Sequence, residues 1–213
     1  MGQVAGLGSF STTYNNFEPI ETINVNSKKV SGDFHTGNIG IVNLNFNDLV
    51  DAINSDFKFD NATKVIINAD KDFTIRDFIG NISPAIDNLR ELSISGNGIV
   101  SIEKTQNTYN LEIFSSTSNG NFSVKELGSG ALNTVSIESL NGDLSIEKIN
   151  VSNLGNIASI NLIAKGLIDN GSGSAGVVES TTGGINATLS GATSNSSSIG
   201  TQMDFIVNSP DAG

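Results

Sequence analysis

The side chains in this sequence that could do chemistry are mostly carboxylates. Its 213 residues hold 22 Asp and Glu against 11 Lys and Arg, with one histidine and no cysteine. Two close pairs, Asp70 with Asp72 and Asp56 with Asp60, have the residue types of glycoside cleavage, in which one carboxylic acid works with one carboxylate. Acidic residues in polar stretches are more often turn formers, so no catalytic residue is assigned. Asp70, Asp72 and Asp77 are also oxygen ligands of the kind Ca²⁺ takes. That ion wants six to eight oxygens, so Ca²⁺ stands only as a candidate here and no cofactor is assigned. His35 has neither a cysteine nor a recognisable serine motif to serve, which removes the basis for a nucleophilic triad. It reads as a surface or turn residue. Glycines cluster in "GSGSAG" and "TTGG" without the strand and helix that a phosphate loop or dinucleotide fold needs.

A second set of polar residues recurs at fixed spacing. "NGIVSIEK" at 97–104, "NGNFSVKE" at 119–126 and "NGDLSIEK" at 141–148 begin 22 residues apart. "DKDFTIRD" at 70–77 is a fourth copy, 27 residues upstream, with "FIGNISPAIDN" as an insertion. The apolar pair always lies three and five residues after the Asn or Asp. Before each phrase runs another short alternating segment, marked by Val65 and Ile67, Leu92 and Ile94, Leu111 and Ile113, Val135 and Ile137, and Ile160 and Leu162. Weaker relatives are Ile23 and Val25, Val42 and Leu44, and Phe205 and Val207. Each repeat therefore holds two short strands with one face inward.

Asn-Gly between alternating runs is a hairpin signal. In a meander, however, the turn centre would slip relative to the Asn-Gly from copy to copy, whereas the forward spacing is constant. That suits a corner that launches a strand. Both Asn and Gly tolerate a left-handed backbone, which such a corner is expected to use. Stacking the copies in register places equivalent residues about 4.8 Å apart. One column then reads Arg76, Glu103, Lys125, Glu147, and the next reads Asp77, Lys104, Glu126, Lys148. Both alternate in sign, which attraction between stacked neighbours favours and like charge would oppose. Asn97, Asn119 and Asn141 would form an amide ladder. The predicted fold is all-β, a parallel β-solenoid with rungs of roughly 22 residues.

The ends differ from the centre. In "FNDLVDAINSDF", Phe46, Leu49, Val50, Ile53 and Phe57 fall at helical spacing, so one short amphipathic helix is expected there as a cover for an open solenoid end. The chain divides into N-terminal rungs with this capping helix at 1–60, a regular solenoid at 61–170, and Gly/Ser/Thr-rich rungs or a partly mobile segment at 171–213, all in one continuous domain.

"LRELSISGNGIVSIE" and "LNTVSIESLNGDLSIE" resemble rungs of bacterial S-layer proteins and large secreted adhesins. The resemblance covers about 60–170 and is one of style. It implies a cysteine-free, acidic surface protein, often secreted in one step without an N-terminal signal. The glycine-aspartate calcium nonapeptide of such proteins is absent from this sequence. "NLRELSISGN" also fits the leucine-rich-repeat pattern, which gives an alternative solenoid. The implied function is non-enzymatic self-assembly at the cell surface, as an S-layer subunit, extracellular filament or adhesin shaft. The partner would be the protein itself, and cell-surface polysaccharide is a further candidate. A carbohydrate-binding or carbohydrate-cleaving β-helix, such as a phage tail-spike fragment, is the alternative. A net charge of −11 argues against nucleic acid or anionic membrane as main partner. No apolar run reaches the roughly 18 residues of a membrane span. "MGQVAGLGSF" shows no basic region leading into an apolar run, so an extracellular location would be reached without a recognisable signal peptide.

Overall fold

The computed structural model describes residues 2–5, 10–11, 20–27, 34–36, 39–59, 62–79, 89–106, 110–129, 131–152, 157–169, 176–180, 185–191 and 205–208. Over them the chain is a parallel β-solenoid, and successive strands alternate between two sheets, except that Ile168–Asp169 and Gly176–Ser180 both join the second. The first sheet stacks nine strands in chain order: Gly2–Ala5, Ile20–Ser27, Ile39–Phe46, Lys64–Ala69, Glu91–Gly96, Ile113–Ser118, Thr134–Ser139, Ala158–Ala164 and Ile185–Ser190. The second runs through Phe10–Ser11, Phe34–Thr36, Val50–Phe59, Phe73–Ile79, Val100–Gln106, Phe122–Gly128, Leu144–Val151, Gly176–Ser180 and Phe205–Asn208. The short strand Ile168–Asp169 also pairs with Leu144–Val151. Pairing continues across the divisions near residues 60 and 170, as in Ile41 with Lys64 and Ala158 with Ile185.

Both strands of a rung point alternate side chains between the sheets, so like residues stack into apolar columns. In the first sheet Val42, Val65, Leu92, Phe114, Val135 and Ile160 form one column. In the second, Val50, Phe73, Val100, Phe122, Leu144 and Ile168 form another. All of these are buried. Toward the N-terminal side the columns carry a phenylalanine cluster. Phe57 lies edge-on to Phe78 at 5.9 Å and Phe46 stacks on Phe73 at 6.1 Å. Such edge-on and offset arrangements are those that aromatic pairs prefer.

Residues 46–57 are not helical, and no helix occurs among the described residues. Phe46 ends one strand, Asn47 to Leu49 turn a corner, and Val50 begins the next. Two inward residues flanking a three-residue corner are four apart, which imitates helical spacing. A register shift between Ala52 and Asp56 then delays the next core residue, Phe57, and completes the imitation. The leucine-rich-repeat alternative also falls, because the second side of each described rung is a strand. Two pairs in the strand reading need correction. The third rung of the regular run places Phe114 and Ser116, not Leu111 and Ile113, opposite Leu92 and Ile94. Phe205 and Val207 belong to the second sheet, beside Gly176 and Val178.

Candidate functional site

The repeating polar structure is the corner between the first and second sheets. Three residues separate Ala69 from Phe73, Gly96 from Val100, Ser118 from Phe122 and Ala164 from Ile168. The corner between Ser139 and Leu144 has a fourth residue, and the surplus Leu140 stands exposed. Corners stack through their backbones. Asn97 N–H donates to Ala69 O at 2.9 Å, Asn119 N–H to Gly96 O at 2.9 Å, and Phe73 N–H to Ile99 O at 2.8 Å.

Side chains reinforce this stack at the corner's last position. Asp72 Oδ1 accepts from Ile99 N–H at 2.8 Å, Asn121 Oδ1 from Asp143 N–H at 3.0 Å, and Asp143 Oδ1 from Leu167 N–H at 2.7 Å. Each acceptor reaches one rung onward, over the middle of the next corner. The middle residues there are Gly98, Gly142 and Gly166. A Cβ on them would lie 2.0, 2.2 and 1.8 Å from Asp72, Asn121 and Asp143 Oδ1 respectively. The glycines are thus required by close approach. None of the three has a left-handed backbone, which corrects the expectation drawn from the Asn-Gly pair. Where the preceding corner ends in Leu49, no such acceptor exists and the middle residue is Lys71.

The first corner position carries Asn97, Asn119 and Asn141, all exposed. Asn141 Nδ2 donates to Asn119 Oδ1 at 2.7 Å, and Lys165 Nζ to Asn141 Oδ1 at 3.4 Å. This ladder runs from Asn119 toward Lys165. Among the described residues the Asn97 carboxamide has no partner. Two further amide pairs, unanticipated, lie on the first sheet: Asn43 Nδ2 to Asn24 Oδ1 at 2.8 Å and Asn68 Nδ2 to Asn45 Oδ1 at 2.9 Å. Their signal was the repeated "NVN", "NLN" and "INA", in which Asn alternates with apolar residues.

The charged columns lie on the second sheet. Lys104 stands opposite Asp77 on one side and Glu126 on the other, and Glu126 stands opposite Lys148. Strict alternation would turn this second column inward. Instead the strand Phe122–Gly128 places two consecutive exposed residues, Lys125 and Glu126, before Leu127 returns to the core. Glu103 lies next to Lys104 in the same bend. Lys125 Nζ meets Glu103 Oε1 at 2.6 Å, and this bond, helped by Arg76 and Lys104, holds the Glu103 carboxyl below its ordinary range against a desolvation opposing it. The same bond, with Glu103 and Glu147 nearby, raises Lys125. Lys148 bonds Glu179 at 2.8 Å and is raised chiefly by that bond, with Glu126 adding to it. Asp77 is buried, with Arg76 Nε at 3.9 Å and Lys104 Nζ at 4.0 Å.

Asp70 and Asp72 sit at a corner, and Asp72 is engaged by Ile99 N–H. Asp77 lies on the strand beyond, opposite Asp56. Asp60 lies outside the described residues. Among the described residues no three His, Asp or Glu side chains gather as a metal centre would require. His35 lies in the strand Phe34–Thr36, opposite Ser11 and Lys58, rather than in a turn.

These features define a parallel β-solenoid built on asparagine, aspartate and ion-pair ladders. The chain matches no family model, no curated protein and no solved structure.

Proposed function

We propose that this chain is a non-enzymatic structural protein of the cell surface that assembles with copies of itself, as an S-layer subunit, an extracellular filament or an adhesin shaft. One observation carries the reading: its polar side chains bond to their equivalents in the next rung. Asp72, Asn121 and Asp143 bond the following corner, Asn141 bonds Asn119, and Lys125 bonds Glu103. Functional groups used this way stiffen a rod. A stiff stack of parallel strands offers backbone donors and acceptors at its terminal edges and repetitive polar faces along its sides, and both pair readily with identical copies. An extracellular location and contact with cell-surface polysaccharide belong to the same proposal.

Negative-stain electron microscopy of the purified protein, with and without Ca²⁺, tests it. Ordered sheets or filaments are expected. A monodisperse monomer that binds or cleaves a glycan would replace this reading with that of a carbohydrate-active β-helix.

A further inference from the structure

Three corners contain the dipeptide Asn-Gly: Asn97–Gly98, Asn119–Gly120 and Asn141–Gly142. This dipeptide carries its own chemistry. The amide nitrogen of the glycine, once deprotonated by solvent base, attacks the asparagine Cγ. A new N–C bond closes a succinimide ring and the side-chain nitrogen leaves as ammonia. Water then opens the ring at either carbonyl, which gives aspartate or, with the chain rerouted through the side chain, isoaspartate. Glycine permits this because no side chain hinders the approach. By sequence the three sites are equivalent.

The fold makes them unequal. The nucleophile and the electrophile must both be free to move, and hydrogen bonds hold them at two of the sites. Gly120 N–H donates to Gly98 O at 2.9 Å, and Gly142 N–H donates to Ser139 Oγ at 3.1 Å. The Asn119 and Asn141 carboxamides bond each other at 2.7 Å. At the third site, among the described residues, neither the Gly98 N–H nor the Asn97 carboxamide has a partner. Two differences account for this. The residue before this corner that is equivalent to Ser139 is Gly96, which has no hydroxyl to accept from Gly98 N–H. One rung down, the first corner position is Asp70, a carboxylate that has no N–H to offer the Asn97 oxygen.

We infer that Asn97–Gly98 is a self-modification site, the Asn-Gly corner at which the folded chain deamidates first. The product acts on the stack. Asparagine becomes a carboxylate one rung above Asp70, where like charges oppose stacking, and isoaspartate lengthens the backbone of a three-residue corner. Deamidation therefore loosens the solenoid between the phenylalanine cluster and the regular rungs.

The experiment incubates the full chain at mildly alkaline pH, at a temperature where circular dichroism shows the β signal retained. Conversion at each asparagine is then read by peptide mass mapping, with the urea-unfolded chain as reference. In the unfolded chain the three sites convert at comparable rates. In the folded chain Asn97 converts at least about fivefold faster than Asn119 or Asn141, the factor corresponding to one net hydrogen bond withheld from reaction. Equal rates, a faster Asn119 or Asn141, or an Asn97 that stays unmodified while the unfolded chain reacts would each overturn the inference. In Asn119→Ala, an exposed substitution, Asn141 loses its carboxamide partner and converts faster while Asn97 keeps its rate. An unchanged Asn141 rate would contradict the protective role of the ladder.

Discussion

Two kinds of corner occur in one stack. At Asp72/Gly98, Asn121/Gly142 and Asp143/Gly166, an acceptor side chain occupies the space above the next corner and a glycine leaves that space open. At Leu49/Lys71 and Ile99/Gly120 the lower residue is apolar. The upper one is then a lysine, or a glycine whose Cβ would meet only the Gly98 backbone and Ile99 N at 3.2–3.3 Å. Leu49 and Ile99 are correspondingly exposed, at 47% and 44%. At Gly166 the conflict is mainly with the neighbour's side chain one rung away, whereas at Gly98 and Gly142 a Cβ would also meet that neighbour's backbone nitrogen, at 2.8 and 2.7 Å. Sequence and packing are linked here across 20 or more residues, along the stack rather than along the chain.

Breaking the first kind of corner should have the largest effect. Gly98→Ala drives a methyl into Asp72 and costs the bond to Ile99 N–H. A loss of about 2–3 kcal/mol is expected from a displaced charged acceptor, measured by urea unfolding.

A smaller change of opposite sign is expected in the core column beside the corners. Ser116 stands between Ile94 and Ile137, buried, and its hydroxyl is without a hydrogen-bond partner among the described residues. Ser116→Ala should stabilise by about 1 kcal/mol by removing that buried polar group. An unchanged or lower urea midpoint would show that the hydroxyl is satisfied.

The charge columns come next. The lowered Glu103 value means that its ion pair adds stability above the ordinary glutamate range, and that this is lost as pH falls through the lowered folded value. For Lys125 the sign reverses, because a raised value gives stability at lower pH that is lost as pH rises through it. Glu103→Lys should abolish the acid-side part and lower the melting temperature. Added salt should narrow the difference from the parent, since the pair is exposed to screening. A salt-independent difference would mean that the substitution acts through packing. The least effect belongs to Gly120→Ala, where the nearest contact is 3.2 Å, and it should stay within about 0.5 kcal/mol.

The sequence made the rungs legible because core residues recur at constant distance after each corner. The same rule, applied further, marks two copies that were missed. Asn47 is followed three and five residues later by Val50 and Ala52, and Lys165 is followed by Ile168. The first was obscured because a three-residue corner between inward residues mimics a helical turn. The second lacks the asparagine. Ser116 broke the apolar alternation of its strand, which moved the reading of that pair to Leu111 and Ile113. What a single strand pattern cannot carry is which residue fills the space above a corner. That depends on the rung below, and the Asp72–Gly98 relation is visible only once the register is known.

Glycine and acceptor are coupled across rungs, and a double-mutant cycle on Asp143 and Gly166 measures that coupling. A Cβ at Gly166 would meet Asp143 Oδ1 at 1.8 Å but backbone only at 3.0 Å, so the conflict is mainly with that side chain. Asp143→Ala should cost the Leu167 N–H bond, and Gly166→Ala should cost that bond together with a clash. The double variant should lose clearly less than the sum, by at least about 1 kcal/mol of coupling energy. Additive losses would contradict the account, because the glycine would then be required for a reason of its own.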